Sequence, residues 1–215
     1  MVHRIYEEDS MRVGVFGISR SGKDYTIEDF IALADKEGCL FTHLSPMAII
    51  RERLDGRKLS LMDIDEKREL VRSVRRDIDK KAEDGNIVVD EHYCYPSTFN
   101  GVAVNNGYYD EKLPHDILSR PGLRTEYEVV LPRFEALKYD VVACMRIDPK
   151  IITERTYNSE GAKKNMLMTP EIADEWQRQE IRGAMMESDV SRVGVIDDPG
   201  RSGEQLWDFV RGRLY

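Results

Sequence analysis

One stretch constrains this chain more than any other: Gly17-Ile18-Ser19-Arg20-Ser21-Gly22-Lys23-Asp24. It follows the apolar run Met11 to Phe16, which reads as a strand. It precedes residues 23–36, where Ile27, Phe30, Ile31 and Ala34 recur at helical spacing. GxxxxGK between a strand and a helix is the pattern of a phosphate-binding loop. Glycines let the backbone wrap closely around a phosphate, and the N–H groups of the helix start add partial positive charge. Lys23 is the side chain expected to reach the β- and γ-phosphates. The predicted nucleotide contacts are Gly17, Ser19, Arg20, Ser21, Gly22, Lys23, Asp24, Tyr25 and Thr26. Asp24 stands where a Ser or Thr ordinarily offers a hydroxyl to Mg²⁺. A carboxylate there can ligand the ion directly or through water, and Thr26 is the nearest hydroxyl.

The rest of the chain alternates short apolar runs with amphipathic stretches. Strands are predicted at Met11 to Phe16, Cys39 to Leu44, Asn86 to Asp90, Asp140 to Ile147 and Arg192 to Ile196. Helices are predicted at 23–36, from Pro46, over Asp63 to Gly85 with the stripe Leu70, Val71, Val74 and Ile78, from Pro149, from Pro170, and over 202–213. Alternation of this kind predicts an α/β fold: a five-stranded parallel sheet between helical layers, in one domain over 1–215 with its core at about 11–213. Between Tyr93 and about Arg124 the pattern dissolves into Tyr, Asn, Gly and Pro; periodicity returns near Tyr127 to Leu137.

Charge narrows the function. The net charge of −8 argues against bulk binding to nucleic acid or to an anionic membrane, which needs a positive face. No apolar run approaches the roughly 18 residues of a membrane span, and the charged N-terminus does not resemble a signal peptide. Three scattered cysteines, Cys39, Cys94 and Cys144, lack CxxC spacing and fit reduced thiols in a cytoplasmic protein.

A second candidate centre lies in "IVVDEH". Asp90 ends an apolar strand, and ligands of doubly wound sheets bind outside such strand ends. An acidic group there organises Mg²⁺ in phosphoryl-transfer enzymes, so Asp24 and Asp90 are the expected metal ligands; an Asp that merely caps a turn is the competing account. Glu91 and His92 separate two mechanisms. Glu91 as a base for water makes an ATPase, whereas a transferase excludes water and uses the acceptor's own oxygen. His92, two residues after Asp90, is placed to share its side of the chain; a purely structural histidine is the alternative.

At these residues the chain resembles the P-loop nucleoside monophosphate kinases, above all the archaeal adenylate kinases and the related nuclear adenylate kinase-like NTPases. The likeness rests on "VFGISRSGKDYTIEDF", "IVVDEH", "RIDPKIITERTYNSEGAKKN" and "TPEIADEWQRQEIR", and it runs over most of residues 11–196. Asp90 and His92 match the Asp-x-His of that group, and Glu154-Arg155 matches its Glu-Arg pair before a mobile lid. The GKD variant also resembles phage deoxynucleotide kinases and animal phosphomevalonate kinase.

The resemblance implies ATP- and Mg²⁺-dependent phosphoryl transfer to a nucleoside monophosphate, with a mobile lid at about 157–168 and an acceptor-binding region at about 45–84. It implies catalytic roles for Lys23, Asp90, His92, Arg155, Arg178 and Arg182. Arg51, Arg57 and Arg76 become candidates for the acceptor phosphate; for any single one, a solvated helix surface is the competing account. Glu160 stands about where a lid arginine is expected, leaving Lys163 and Lys164 to supply the charge. Small nucleotides are the expected partners, and the archaeal relatives make self-assembly compatible with the fold. A kinase of another phosphorylated metabolite and an ATPase switch or assembly factor are the alternatives. The segment at about 93–124 either shapes the acceptor pocket or is a surface insertion. Trp176 is expected to pack the helix after the lid onto the core, with base stacking as the alternative, and Cys94 is expected to be a small buried residue.

Overall fold

The computed structural model describes residues 10–57, 62–99, 102–103, 125–129, 139–158, 168–187 and 193–214. Eight strands lie among them: β1 (Arg12–Phe16), β2 (Thr42–Leu44), β3 (Ile87–Glu91), β4 (Cys94–Phe99), β5 (Val102–Ala103), β6 (Thr125–Val129), β7 (Val141–Met145) and β8 (Val193–Ile196). The helices are α1 (Lys23–Lys36), α2 (Pro46–Leu54), α3 (Ile64–Glu83), α4 (Pro149–Asn158), α5 (Pro170–Glu187) and α6 (Ser202–Leu214).

Five strands form a parallel sheet in the order β2-β3-β1-β7-β8. The centres of β1, β3, β7 and β8 are apolar because both faces of the sheet are covered. Successive side chains alternate between two cores. Val13 and Val15 of β1, Val88 of β3, and Val141, Ala143 and Met145 of β7 join Ile27 and Phe30 of α1 and Leu206, Trp207 and Val210 of α6. Phe16, Val89, Val142 and Cys144 point the other way, onto Ile50 and Leu54 of α2 and Val74 and Ile78 of α3. Helix α5 reaches both cores, with Trp176 in the first and Ala184 in the second. The three-layer α/β/α arrangement follows directly: a sheet apolar on both faces needs a helical layer on each.

Local signals place most boundaries. Pro46 takes the first turn of α2. Asp63 caps α3, accepting hydrogen bonds from the backbone N–H groups of Asp65 and Glu66 at 3.0 and 2.8 Å. The predicted second strand shortens to Thr42–Leu44, and the third extends by one residue to Glu91.

The larger difference lies after β3. Part of the stretch without periodicity is a second sheet, antiparallel, in the order β5-β4-β6. Its strand β4 reads CYPSTF, and the proline masks the pattern. Proline cannot donate to a ladder and is tolerated at a bulge; the β4–β6 register shifts between Pro96 and Thr98. Residues 104–124 of that segment lie outside the described residues. So do 159–167, most of the predicted lid, with Glu160, Lys163 and Lys164. No helix among the described residues is long and apolar enough to cross a membrane.

Gly14 is required for space. A Cβ there would stand 2.8 Å from the Tyr139 ring and 3.0 Å from that of Phe16. These two rings meet edge to face, 6.1 Å between centroids. Gly14→Ala is therefore expected to lower stability by about 1–3 kcal/mol through overpacking, read as a reduced urea midpoint with an unchanged slope.

Candidate active site

The phosphate-binding pattern sits where β1 ends and α1 begins, at the centre of the sheet. Arg20 (φ 68°) and Gly22 (φ 95°) both adopt left-handed backbone. Gly22 does so at the helix cap, where other residues are strained. Neither glycine of the loop leaves room for a side chain. A Cβ on Gly17 would fall 2.8 Å from Met145 Cβ and Ser21 Oγ, and one on Gly22 would fall 3.2 Å from Arg155 Nη1. That guanidinium donates to the carbonyls of Arg20 and Ser21 at 3.3 and 3.4 Å, so α4 and the loop are in direct contact.

A cavity of about 980 Å³ opens over the loop. It is lined by residues 18–26, by Ser45 before α2 and Met47 and Arg51 on it, by Asp90 of β3 and His92 just after it, and by Tyr95, Arg155 and Trp176. The structure thus gathers Ser19, Arg20, Ser21, Gly22, Lys23, Asp24, Tyr25, Thr26, Arg51, Asp90, His92 and Arg155 around one space; Gly17 belongs to the same loop but does not line the cavity. Thr26 borders the cavity, but its hydroxyl is engaged by the Gly22 carbonyl at 3.1 Å and Ser202 Oγ at 2.8 Å, tying α1 to α6.

Four predicted arginines stand elsewhere. Arg57 pairs with Glu66 at 3.1 Å and Arg76 with Glu69 at 2.9 Å, on the exposed surface of α3 and its approach. Arg178 pairs with Asp174 at 3.0 Å and Glu175 at 2.7 Å, and Arg182 is exposed on the same helix. The reason is helical geometry. Helix α3 turns Val74 and Ile78 to the sheet, and α5 turns Trp176, Gln177, Glu180 and Ala184 inward, so these arginines face out.

Asp90 lies opposite Val15 in the β1–β3 register, which sets its carboxylate beside the loop. Its Oδ1 is 3.8 Å from His43 Nε2 of β2, and both atoms are buried without a hydrogen bond. With Asp24, their ligand atoms all lie within 4.8 Å of one another. Asp24 is exposed; with the unsatisfied buried atoms of Asp90 and His43 it makes a set of two carboxylates and an imidazole that could hold a divalent cation. His43 was not a sequence candidate, since only the β2–β3 pairing (His43 beside Val88) brings it there.

Glu91 does not share this space. One residue after Asp90 on a strand, it points to the opposite face. It is 3% exposed and bound to the Arg75 guanidinium and the Tyr139 hydroxyl. Arg75 also donates to the Tyr139 hydroxyl at 2.9 Å. Burial works against the Arg75 charge, but the Glu91 carboxylate overcomes it and raises its pKa. Burial, then Glu91, holds the Tyr139 hydroxyl protonated. A carboxylate committed in this way is not placed to activate water over the loop, which corrects the ATPase role considered for it. The alternation of strand faces was the signal available in the sequence.

A second buried carboxylate does reach the site. Glu180 of α5, 1% exposed, has Oε1 3.2 Å from His92 Nδ1 and accepts the Tyr93 N–H through Oε2 at 2.5 Å. His92 Nε2 lies 3.2 Å from Lys23 Nζ, which also donates to the carbonyls of Gly17 and, at 3.4 Å, Ile18. Burial lowers the Lys23 pKa against the pull of Glu180 first and Asp90 second. Burial raises that of Glu180 against the Tyr93 N–H and Lys23. Glu180 was missed, yet it falls on the inward stripe with Trp176 and Ala184, and a carboxylate on such a stripe needs a partner. Cys94 is buried beside it, its thiol pushed up by burial.

The Arg75–Glu91 pair yields a stability test. Arg75→Met leaves Glu91 buried without its cation and is expected to cost about 3–5 kcal/mol; adding Glu91→Gln should recover a substantial part, both read by urea unfolding. No model of a known protein family matches the chain, and no curated protein matches it in sequence.

Proposed function

We propose that the protein transfers the terminal phosphoryl group of ATP to a nucleoside monophosphate, as adenylate kinases do. The observation that carries this reading is that Lys23, Arg155, Arg51 and Asp90 line a single cavity of about 980 Å³. That size lies at the upper end of small-molecule sites and suits two ligands side by side. The cations are spaced from the loop to α2, as a donor and an acceptor phosphate require.

In the reaction an acceptor phosphate oxygen bonds to the γ-phosphorus as the bond to the β–γ bridging oxygen breaks, and ADP leaves. The protein's share is positioning and charge neutralisation. The loop backbone holds the donor phosphates. Lys23 exchanges its loop carbonyls for phosphate oxygens. Arg155, already against the loop, is placed to bind the transferred group with a planar fork. Arg51 serves the acceptor phosphate. Asp24, Asp90 and His43 would hold a divalent ion such as Mg²⁺, which supplies neutralisation of charge on the donor phosphates. Commitment of Glu91 to Arg75 supports transfer over hydrolysis.

Tyr95 favours a second reading, transfer to another small phosphorylated acceptor. It comes from the added sheet, lines the cavity and stands 4.8 Å from His92 between ring centroids. The same assay separates the two. ATP-dependent ADP formation is measured by a coupled assay across all nucleoside and deoxynucleoside monophosphates. Turnover is expected with at least one and should vanish in Lys23→Ala; silence across the whole panel rejects the first reading. Arg51→Ala is expected to raise the acceptor KM about tenfold, the order of a lost charged hydrogen bond, with the ATP KM nearly unchanged. Arg57→Ala and Arg76→Ala should alter neither constant.

A further inference from the structure

The side chain of Glu180 is buried under the site, on a helix that contributes Trp176 to the cavity. It does not line that cavity itself. Its connection to the phosphate loop runs through His92, and donor capacity orders the whole chain. The Lys23 ammonium has hydrogens and no lone pair. At 3.2 Å, His92 Nε2 must therefore be the acceptor in that contact. The proton of a neutral imidazole then resides on Nδ1, which donates to Glu180 Oε1, also at 3.2 Å.

We infer that Glu180 is a positioning residue for the phosphate-loop lysine: its carboxylate fixes His92 in the Nδ1–H form, and the Nε2 lone pair so presented holds the Lys23 ammonium in place. The inference rests on the reading of Lys23 as the lysine that meets the nucleotide phosphates. Lysine has three N–H donors. One stays on His92 while the two now given to the loop carbonyls are free to turn to phosphate oxygens. A carboxylate in place of an amide matters because in its ionised form, which the Tyr93 N–H and the Lys23 charge favour against burial, it only accepts. A glutamine at 180 could still take the Tyr93 N–H with its oxygen, but its NH₂ would face Nδ1. His92 would then carry its proton on Nε2, with an N–H aimed at an ammonium.

A purely structural role for Glu180 is the competing account, since it also ties the chain after β3 to α5. That tie is made independently. Trp176 Nε1 donates to the Cys94 carbonyl at 2.8 Å. Gly183 leaves room for the Tyr93 ring, which would lie 2.0 Å from a Cβ there. The Trp176 ring also stacks on His92, 6.4 Å between centroids and 27° between planes, so the imidazole plane is held from the side as well.

The experiment uses the full chain without added acceptor. ¹⁵N-histidine NMR reads the tautomers of its four histidines, with His92 assigned by loss of its signals in His92→Asn. Calorimetry reads ATP affinity. The expected results are an Nδ1–H tautomer in the unaltered protein, an Nε2–H tautomer in Glu180→Gln, and ATP binding about tenfold weaker in that variant. In the His92→Asn background, Glu180→Gln should bring no further loss, because the route to Lys23 is already cut. An Nε2–H tautomer in the unaltered protein overturns the inference, even where Glu180→Gln fails to fold. An equal loss of affinity in both backgrounds overturns it too, since that is the signature of a structural staple. None of these readouts needs phosphoryl transfer. Nδ1–H and coupling in a protein that phosphorylates no monophosphate would sink the kinase reading and leave this one standing.

Discussion

The pairing of β1 between β3 and β7 is the constraint on which the remaining structure depends. Parallel strands in register end together, so the loop after Phe16 and the acid at Asp90 meet without any further device. The same pairing sets which side chains face which core. A shift of one residue would turn Asp90 toward α3 and Glu91 toward the loop. It would also exchange Val88 for Val89 in two differently shaped cores. Packing on both faces thus holds the register, and the cost of error is counted in buried valines rather than in the acids themselves.

Two buried charge systems meet at the end of β3, one through Glu91 and one through His92 just after it. On the α3 side, Glu91, Arg75 and Tyr139 satisfy one another and leave nothing directed at the cavity. On the α5 side, Glu180, His92 and Lys23 form a chain that ends at the phosphate loop. Both incur a desolvation cost that a hydrophobic set would avoid. The first gives a fixed structural joint in return. The second sets the Lys23 amine on the glycine-bearing loop, where burial lowers its pKa against the opposing pull of Glu180 and Asp90. Asp90 and His43 complete the contrast, since their facing atoms are buried without a hydrogen bond.

The fold was legible where local rules suffice. The strand before Gly17, the helix from Lys23, the proline starts at Pro46, Pro149 and Pro170, and the five parallel strands each have a signal within a few residues. The three-stranded sheet was not, because Pro96 interrupts the alternation of β4 and its partner β6 begins some thirty residues later. In the site, the GxxxxGK loop and Asp90 were legible from type and position. The arginines were not separable by type. Arg51 borders the cavity while Arg57, Arg76, Arg178 and Arg182 do not: Arg57 lies past the end of α2, and the other three occupy outward helical faces.

By itself, then, the amino-acid order determined that a tight glycine-bearing loop would join a strand to a helix and that an acid would stand at the end of a neighbouring strand. Both follow from short-range geometry: glycine's freedom at Gly22, the helix start at Lys23 and the period of a strand. Only the tertiary structure decided which charges act together. His43, Glu180 and Arg75 lie 47, 88 and 16 residues from their partners Asp90, His92 and Glu91 in the chain. No local pattern links them. They are joined because β2 pairs with β3, α5 packs across the sheet, and a buried charge must find its partner wherever the fold brings one.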